Sequence, residues 1–581
     1  MKKRAFLTIL FCALFVAALY AEWSSDPSIN TVVCNLSGED AIPKVVAGPT
    51  GDIYIGYYAN EEGNYNVRLQ RYNSAGNPQW VANGILISDH TSMSWLTDWD
   101  MTVDQDNYAI LTFQDIRNAG NNNVYAYRIS PDGSFVWGPD GLELSNTTDF
   151  DVSPKVTVTS AGNAVVAWGS GDISRLQKIS PDGTLLWGAT GIAITGANRY
   201  SWPQPIAVEN DNIIVKYFDD SGSIMYPTRH IYAQKYNANG NTVWAQPCAI
   251  STAGAITAWT QVLPIVPDEN YGFFIGWYDD RDSNMNADIY VQHVDSGGIC
   301  LFTTNGVIAS TNEYNEHYYP QLAYLEDTQI LYTYWNEMDA DQNNRGIYGQ
   351  KFDMAGTREW EDAGRSIIPL SAVNVYPFGI GHTTTDVTVF YTEGTLENYI
   401  KAMAMDSNGD FIWTGDKVTI CSVSSFKPHT TAGKLSSSQW IVAWEDERSG
   451  RDIYAQNINT DGTLGYIPQT VEPQYQEGTF LLTSSPNPFS TSTTISYNAT
   501  TRLRCTTPWQ ANFHELSKIK IYNVKGQLVR EILPITPSPG LPVSVTWDGR
   551  DRNNTPVANG IYYYIFETEG RTHTGKMVLL R

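Results

Sequence analysis

The chain repeats one pattern of short apolar runs about every fifty residues, and this repeat restricts its fold more than any other feature. The clearest copy has alternating apolar runs at 154–158, 164–168, 175–179 and 191–194, with a Ser-Pro-Asp-Gly segment at 180–183. Alternation of this length between turn residues predicts strands joined by tight turns. Each copy therefore predicts one small antiparallel sheet.

Eight copies of the third-strand segment are present, and most are followed by a glycine turn and a tryptophan. These segments are 67–72, 124–129, 175–179, 231–236, 289–294, 347–352, 399–403 and 453–458. The predicted first strands begin near Pro43, Asp100, Pro154, Pro203, Val262, Pro320, Pro377 and Pro428. Four-stranded sheets of this period must stack on one another to bury both faces, as the blades of a β-propeller do.

The two ends of the repeat region differ from the middle copies in a complementary way. After Gly462 the last copy lacks the tryptophan and the fourth strand, while residues 29–36 form an unassigned strand before the first copy. Pairing of 29–36 with 453–458 would close the ring and remove exposed sheet edges. The sequence therefore predicts an all-β fold with an eight-bladed propeller. Seven blades plus an irregular flank is the alternative.

The N-terminus has the pattern of a secretory signal peptide. Lys2, Lys3 and Arg4 precede an apolar run at 5–19, which is followed by the small residue Ala21. This run is shorter than the roughly 20 residues that a membrane span needs. We therefore expect residues 1–21 to be cleaved and no transmembrane segment to remain in the mature chain.

The chain is strongly acidic, and its charge is unevenly distributed along the sequence. The formal net charge is −24, whereas residues 479–581 alone carry more basic than acidic side chains. An acidic surface repels the phosphates of nucleic acids and anionic lipids, so we expect no nucleic-acid partner. The cysteines beyond the signal are odd in number and widely spaced, which predicts no disulfide framework. They are Cys34, Cys248, Cys300, Cys421 and Cys505.

A change of pattern divides the chain after the repeats. Residues 467–478 have turn residues without apolar periodicity and are predicted to form a linker. The predicted domains are therefore the propeller at 22–466 and a C-terminal domain at 479–581.

The C-terminal domain contains six motifs in a fixed order. They are Ser-Pro-Asn-Pro-Phe at 485–489, the alternating segments 493–497 and 519–529, Trp-Asp-Gly-Arg-Asp within 545–551, Asn-Gly-Ile-Tyr-Tyr within 556–563, and the terminal segment 575–581. Together they closely resemble the type A C-terminal sorting domain of the type IX secretion system. The stretch from 545 to 563 also resembles the immunoglobulin-like domain of flagellar hook-capping proteins, which shares this fold.

The resemblance has consequences for fold, partner and location. It implies a small Ig-like β-sandwich, recognition by the type IX secretion machinery, and release from the cell or attachment to the outer-membrane surface. Trimming near residues 467–478 is expected, because members of the family are often cleaved before the sorting domain. The stretch 499–517 is longer than the usual connector of the family.

One motif of aromatic, acidic and basic residues recurs within the propeller. The copy at Trp444, Asp446 and Arg448 is echoed at 277–282, 113–117 and 335–339. Carboxylates beside an arginine could perform acid–base chemistry on a glycan. However, catalytic sites are normally unique, so we interpret the motif as a hairpin in which the aspartate caps the turn and pairs with the arginine. No catalytic residue is assigned.

Two loops have oxygen-bearing side chains at alternate positions, a spacing that calcium can use. The candidate ligands are Asp282, Asn284, Asn286 and Asp288 in the first loop, and Asp339, Asp341 and Asn343 in the second. No other metal or cofactor is predicted.

These observations favour a secreted or cell-surface binding or adhesion protein, with the propeller as the ligand-binding scaffold. Polysaccharide or another envelope component is the expected ligand class. The alternative is a secreted hydrolase that acts on glycans or peptides in the funnel of the ring. Its first candidate residues are Glu313, Glu316, His317 and Tyr318, which do not repeat.

Overall fold

The fold was derived from a computed structural model of the chain. It describes residues 22–92, 98–118, 120–257, 259–433, 438–467, 481–498, 518–532, 543–568 and 571–581. The predicted signal peptide, nearly all of the predicted linker and the stretch 499–517 lie outside these ranges. The chain forms two compact units, Met1–Pro468 and Gln469–Arg581.

The described residues of the first unit form strands and one short 3-10 helix, Glu209–Asp211. The strands of the first half are β1 (Thr31–Cys34), β2 (Asp40–Ala47), β3 (Ile53–Glu61), β4 (Asn64–Tyr72), β5 (Ile85–Ser88), β6 (Asp100–Val103), β7 (Ala109–Asn118), β8 (Asn121–Ile129), β9 (Leu142–Glu143), β10 (Asp151–Val158), β11 (Ala164–Ser170), β12 (Ile173–Ile179), β13 (Ile192–Ile194), β14 (Arg199–Ala207), β15 (Ile213–Gly222), β16 (Pro227–Tyr236) and β17 (Cys248–Gly254). The strands of the second half are β18 (Ile265–Pro267), β19 (Phe273–Asp279), β20 (Asp288–Val294), β21 (Val307–Ile308), β22 (Glu316–Leu325), β23 (Ile330–Met338), β24 (Arg345–Phe352), β25 (Arg365–Ser371), β26 (Val375–His382), β27 (Val387–Gly394), β28 (Asn398–Met405), β29 (Lys417–Ser425), β30 (Thr430–Gly433), β31 (Gln439–Asp446) and β32 (Asp452–Asn459).

These strands build eight four-stranded antiparallel sheets within the described part of the unit. Seven sheets use consecutive strands, from β2–β5 (blade 1) to β26–β29 (blade 7). Blade 8 combines β30, β31 and β32 with β1 from the N-terminus. Each blade packs on the next, and blade 8 packs on blade 1, so the sheets form a closed β-propeller.

The strand that closes the ring is the one predicted from the sequence. In β1, Thr31 lies opposite Ala455 and Val32 lies opposite Tyr454, in antiparallel register. Val33 and Cys34 are buried in one apolar cluster with Val45 of blade 1. The N-terminal strand therefore completes blade 8 and also contributes to its contact with blade 1.

Adjacent blades are joined by a contact between a tryptophan and a turn. At five of the eight junctions in the described part of the ring, the indole N–H of one blade donates to a carbonyl oxygen in the turn that follows the third strand of the next blade. These hydrogen bonds are Trp137 to Pro181 (3.1 Å), Trp187 to Ala238 (3.0 Å), Trp244 to Ser296 (3.2 Å), Trp413 to Thr460 (2.9 Å) and Trp23 to Ser74 (3.2 Å).

The turn needs glycine at the point where the indole packs. Gly298 has φ +83°, and a Cβ atom at this position would lie 2.6 Å from the Trp244 ring. Gly76 has φ +90°, and its Cβ atom would lie 2.7 Å from the Trp23 ring. Both the backbone conformation and the close approach therefore exclude a larger side chain.

Trp23 is the tryptophan that the last repeat lacks. In other blades a third-strand glutamine donates to the carbonyl just after the tryptophan, as Gln177 does to Gly188 at 2.7 Å. In blade 8, Gln456 makes the same hydrogen bond to Ser24 at 2.5 Å. The N-terminus therefore supplies blade 8 with both its fourth strand and its tryptophan.

The second unit is a β-sandwich among its described residues. Its strands are β33 (Leu481–Ser485), β34 (Thr493–Asn498), β35 (Lys518–Asn523), β36 (Leu528–Ile532), β37 (Val543–Trp547), β38 (Gly560–Thr568) and β39 (Arg571–Leu579). One sheet has the order β33-β34-β37 and the other β36-β35-β38-β39. Ile495 and Trp547 from the first sheet share one core with Ile519, Tyr564 and Met577 from the second.

The Ser-Pro-Asn-Pro-Phe motif is tied to the terminal motif. Asn487 donates through its side-chain amide to the Lys576 carbonyl at 2.8 Å and accepts from the Val578 N–H at 2.8 Å. The Phe489 N–H donates to the Val578 carbonyl, and the Phe489 ring packs in the core of the sandwich. The two ends of the domain are therefore joined by hydrogen bonds.

Replacement of Trp23 by alanine should open the contact between blades 8 and 1. Truncation of a buried tryptophan costs about 3–5 kcal/mol, so the melting temperature of the full chain should fall by several degrees. Differential scanning calorimetry measures this change. Trp259→Ala, at a tryptophan that is 77% exposed, is the matched control and should leave the melting temperature unchanged. Equal melting temperatures for the two variants would contradict the closure role of Trp23.

Candidate functional site

Bulges in the first strands shape the inner surface of the ring. The predicted first strands were placed near prolines, but β2, β10, β14 and β22 begin before these prolines and continue through them. The residue before each proline has a positive φ, and the register shifts there. These residues are Ile42 (φ 49°), Ser153 (52°), Trp202 (52°) and Tyr319 (57°). Proline has no N–H for the ladder, so it is tolerated inside a strand at a bulge.

An axial pocket, defined here by the residues that line it, lies where several blades meet. Its lining includes Ile42, Asp98, Trp259, Tyr278, Tyr319 and His429, and its volume is about 620 Å³. These residues come from blades 1, 2, 5, 6 and 8 or from the segments that lead into them. Because opposite blades contribute to one pocket, it lies on the axis of the ring.

The only carboxylate among the described lining residues, Asp98, is neutralised by two lysines. Lys44 Nζ lies 2.7 Å from Asp98 Oδ1, and Lys155 contacts the other oxygen. Burial opposes ionisation of Asp98, but the two ammonium groups outweigh it and hold the pKa of this carboxyl well below its usual range. The Asp98 carboxylate therefore stays ionised and links blades 1, 2 and 3 across the inner surface.

Aromatic side chains are exposed at the pocket. Trp259 is 77% exposed and Tyr319 is 51% exposed. The Tyr278 ring contacts Tyr318 edge-on, with ring centroids 5.0 Å apart, and its centroid lies 6.2 Å from that of Tyr319. Exposed aromatic surface in a concave site is typical of ligand binding.

The closing contact between blades 8 and 1 also reaches the pocket. Glu445 accepts a hydrogen bond from the Ile42 N–H at 2.7 Å, so it satisfies the backbone at the bulge. His429 Nδ1 lies 2.6 Å from the same carboxylate oxygen. His429 is therefore held at the pocket by β31 of blade 8.

The recurring acidic and basic motif is a hairpin scaffold. Asp279 accepts from the Trp277 indole at 2.8 Å and from Arg281 at 2.8 and 2.7 Å. The Arg281 guanidinium lies over the Tyr290 ring of the next strand, 3.4 Å from its centroid. Asp446, Trp444 and Arg448 repeat the arrangement in blade 8, with Arg448 over Tyr454. The carboxylate of each copy is used by the hairpin itself.

The residues proposed for a hydrolase do not form one site. His317 is 0% exposed and lies between Asp288 (3.0 Å) and Glu337 (3.1 Å). Glu316 is buried and accepts from Gln342 at 2.8 Å, whereas Glu313 is exposed. Of this set, Tyr318 alone belongs to the aromatic cluster beside the pocket.

Four of the predicted calcium ligands, Asp282, Asn284, Asp288 and Asp339, already use a side-chain oxygen in a hydrogen bond or an ion pair. Asp282 accepts from Asn284 at 2.9 Å, and Asn284 accepts from the Asn286 N–H at 2.7 Å. Asp288 pairs with His317. Asp339 accepts hydrogen bonds from the backbone N–H groups of Asn343 and Asn344. In the described ranges no three His, Cys, Asp or Glu side chains are grouped to hold a metal ion. Calcium binding stays a prediction.

The sequence did not indicate most of the pocket. Asp98, Trp259 and His429 precede the first strands of their blades, where the repeat has no fixed pattern. Ile42 and Tyr319 could have been found, because each stands directly before a proline that recurs with the repeat. Within the described residues, no helix has the length and apolar character to cross a membrane.

Comparison with known proteins gives one sequence match. Residues 492–570 match the FlgD Ig-like domain family, in agreement with the sandwich of the second unit. No curated protein matches the chain. The chain is therefore a β-propeller protein with a C-terminal FlgD-type Ig-like domain.

Several solved structures are similar at low identity. The PL25 ulvan lyase bound to a GlcA(1-4)Rha3S segment has 11% identity and a TM-score of 0.43, over 76% of this chain and 97% of that one. The Dos1 propeller has 11% identity and a TM-score of 0.40, over 74% and 94%. PorZ, a surface component of the type IX secretion system of Porphyromonas gingivalis, has 11% identity and a TM-score of 0.33, over 94% and 71%. Similarity at this level carries no information about ligand or activity.

The buried His317 should make the stability of the propeller depend on pH. Burial opposes its charge, but hydrogen bonds to Asp288 and Glu337 outweigh it and raise the pKa of His317 to about 9. A raised pKa stabilises the fold fully below the unfolded value of about 6.5, and this contribution is lost as the pH rises through about 9. On the order of 3 kcal/mol should be lost, measured by urea unfolding between pH 6 and 10. His317→Gln should flatten this dependence, and an unchanged slope in the variant would contradict the assignment.

Proposed function

We propose that this chain is an exported binding protein whose propeller holds a glycan in the axial pocket. The observation that carries the proposal is the exposure of Trp259 and Tyr319 beside polar side chains in one concave site. A sugar ring has an apolar face that packs on aromatic rings and hydroxyl groups that need hydrogen-bonding partners at its edge. Asp98, Gln321 and His429 provide such partners around the aromatic rings.

The size of the pocket supports a small glycan segment as the ligand. Small-molecule sites have volumes of about 300–1,000 Å³, and the axial pocket, at about 620 Å³, lies within this range. A segment of one or two sugar units fits this volume, with the rest of a polymer outside the ring. The exposure of Trp259 and Tyr319 leaves the pocket accessible to a ligand.

Binding is favoured over hydrolysis by the state of the carboxylate. Glycoside hydrolysis uses two carboxyl groups, one of which must carry a proton at the working pH. Asp98 is held in its ionised form by Lys44 and Lys155, so it is unsuited to act as a general acid. The described lining offers no second carboxylate to complete a pair.

The pocket proposal predicts which substitutions weaken binding. Trp259→Ala and Tyr319→Ala should each weaken binding of the full chain to its best glycan on an array by about tenfold, because each removes one stacking face. Tyr226→Ala is the matched control, since Tyr226 is 86% exposed and lies outside the pocket. Unchanged binding in both pocket variants would overturn the proposal. Release of new reducing ends by the wild-type protein would support the alternative, a secreted hydrolase.

We further propose that the second unit is a type IX sorting signal that directs the protein out of the cell or onto the outer-membrane surface. The ordered motifs, the match to the FlgD Ig-like domain and the hydrogen bonds between Asn487 and β39 support this role. The secretion machinery would then recognise a folded sandwich. The surface that the machinery would recognise lies on a domain whose net charge is opposite in sign to that of the propeller.

Export should therefore depend on the integrity of the sandwich. Trp547 is fully buried in the core, and its replacement by alanine should cost about 3–5 kcal/mol, enough to unfold a small domain. In a host with a type IX system, Trp547→Ala and deletion of 479–581 should both leave the protein in the periplasm, as measured by fractionation and immunoblotting. Trp259→Ala is the control that should still be exported. Export of the deletion variant at the wild-type level would exclude the sorting role.

A further inference from the structure

Two cysteines from neighbouring blades lie in contact. Cys248 is the first residue of β17 in blade 4, and Cys300 follows the third-strand turn of blade 5. Their Sγ atoms are 3.5 Å apart, although 51 residues separate them in the chain. From this contact we propose that Cys248 and Cys300 form a disulfide bond that joins blades 4 and 5.

The position of the pair is suited to a cross-link between blades. It lies at the same junction where the Trp244 indole donates to Ser296 in the turn of blade 5. Cys300 Sγ also lies 3.6 Å from the Ala249 carbonyl, so the thiol is directed towards the first residues of β17. A disulfide bond needs an S–S distance of about 2.05 Å, and side-chain rotation can supply the remaining movement.

Cysteine is not needed for packing at this place in the ring. At the corresponding places of other junctions, Ile85 and Phe135 share one apolar cluster, and Leu142 and Leu185 share another. Apolar pairs therefore fill this space equally well. Two facing thiols at one junction add a chemical property that packing does not require.

The two thiols differ in exposure and in pKa, and this difference favours disulfide formation. Cys300 is partly exposed, whereas Cys248 is buried. The hydrogen bond from Cys248 lowers the pKa of the Cys300 thiol, which favours its thiolate form. Cys300 is therefore the thiol that meets an external oxidant, and Cys248 is the thiol that reacts second.

The reaction is a disulfide exchange with a disulfide-bearing oxidant, such as a thiol oxidoreductase or oxidised glutathione. The Cys300 thiolate attacks one sulfur of the oxidant and forms a mixed disulfide with it. The other sulfur of the oxidant leaves as a thiolate. Cys248 then loses its proton, attacks Cys300 Sγ and displaces the second thiolate. Two protons and two electrons leave the cysteine pair, and the electrons reduce the oxidant to two thiols.

The other described cysteines are placed differently. Cys34 is buried in the contact between blades 8 and 1, where burial raises the pKa of its thiol. Cys421 is buried in blade 7 and accepts a hydrogen bond from Arg448 at 3.2 Å. Both serve as internal controls, because neither has another described cysteine Sγ in contact.

The proposal is tested on the purified, reduced full chain with oxidised glutathione as the oxidant. After incubation, the protein is denatured, alkylated and digested, and its peptides are identified by mass spectrometry. The expected product is one cross-linked peptide pair containing Cys248 and Cys300, with Cys34 and Cys421 alkylated. Full alkylation of Cys248 and Cys300, a glutathione adduct on Cys300 alone, or a bond to another cysteine would overturn it.

The melting temperature of the wild-type protein gives a second readout. A closed loop of this length stabilises the folded chain, so reduction of the oxidised protein should lower its melting temperature by about 5 °C. Cys300→Ser and Cys248→Ala should each abolish the response to reductant. An equal melting temperature for oxidised and reduced wild-type protein would show that the bond does not join the blades as proposed. The result is independent of whether the chain is exported or binds a glycan.

Discussion

The contact between an aromatic ring of one blade, in most cases a tryptophan, and the glycine turn of the next is the interaction on which the ring depends. A small sheet cannot bury both of its faces alone, so each blade gains its stability from two neighbours. The indole covers the apolar side of the junction and satisfies a turn carbonyl, while glycine leaves room for the ring. A repeat that keeps this pair therefore keeps its blades in one fixed orientation. Trp23 extends the same contact to the junction where the chain ends meet.

Closure of the ring is also what creates the pocket. Because β1 completes blade 8, Glu445 is brought to the bulge at Ile42, and His429 is held beside it. The bulges before prolines interrupt the ladder of the first strands at the axis, where side chains of five blades converge. An open row of the same sheets would bury the tryptophans of its internal junctions but would lose the closing contact of Trp23 and would form no common site. The candidate site therefore exists only because the ring is closed.

The sequence predicts the strands and motifs that recur in each repeat, but it does not predict the role of residues in segments without a recurring pattern. The pairing of residues 29–36 with 453–458 followed from a strand missing at one end and present at the other, and the structure contains it. The hairpin role of Asp446 followed from its recurrence in other blades. Asp98 and Trp259 stand in connecting segments, so no periodic signal placed them at the axis. The contact of Cys248 with Cys300 also depends on how two blades pack, which spacing along the chain does not reveal.

The use of charged groups supports the proposed role in recognition over acid–base chemistry. His317 is enclosed by Asp288 and Glu337, and Asp98 is shared between Lys44 and Lys155. The two ammonium groups keep Asp98 ionised, so this carboxylate stabilises the junction but has no proton to give. For Asp98 to act as a catalytic acid at the axis, it would have to lose its lysine partners, at a cost in stability. Exposed aromatic rings have no such conflict, because stacking on a ligand leaves every buried ion pair intact.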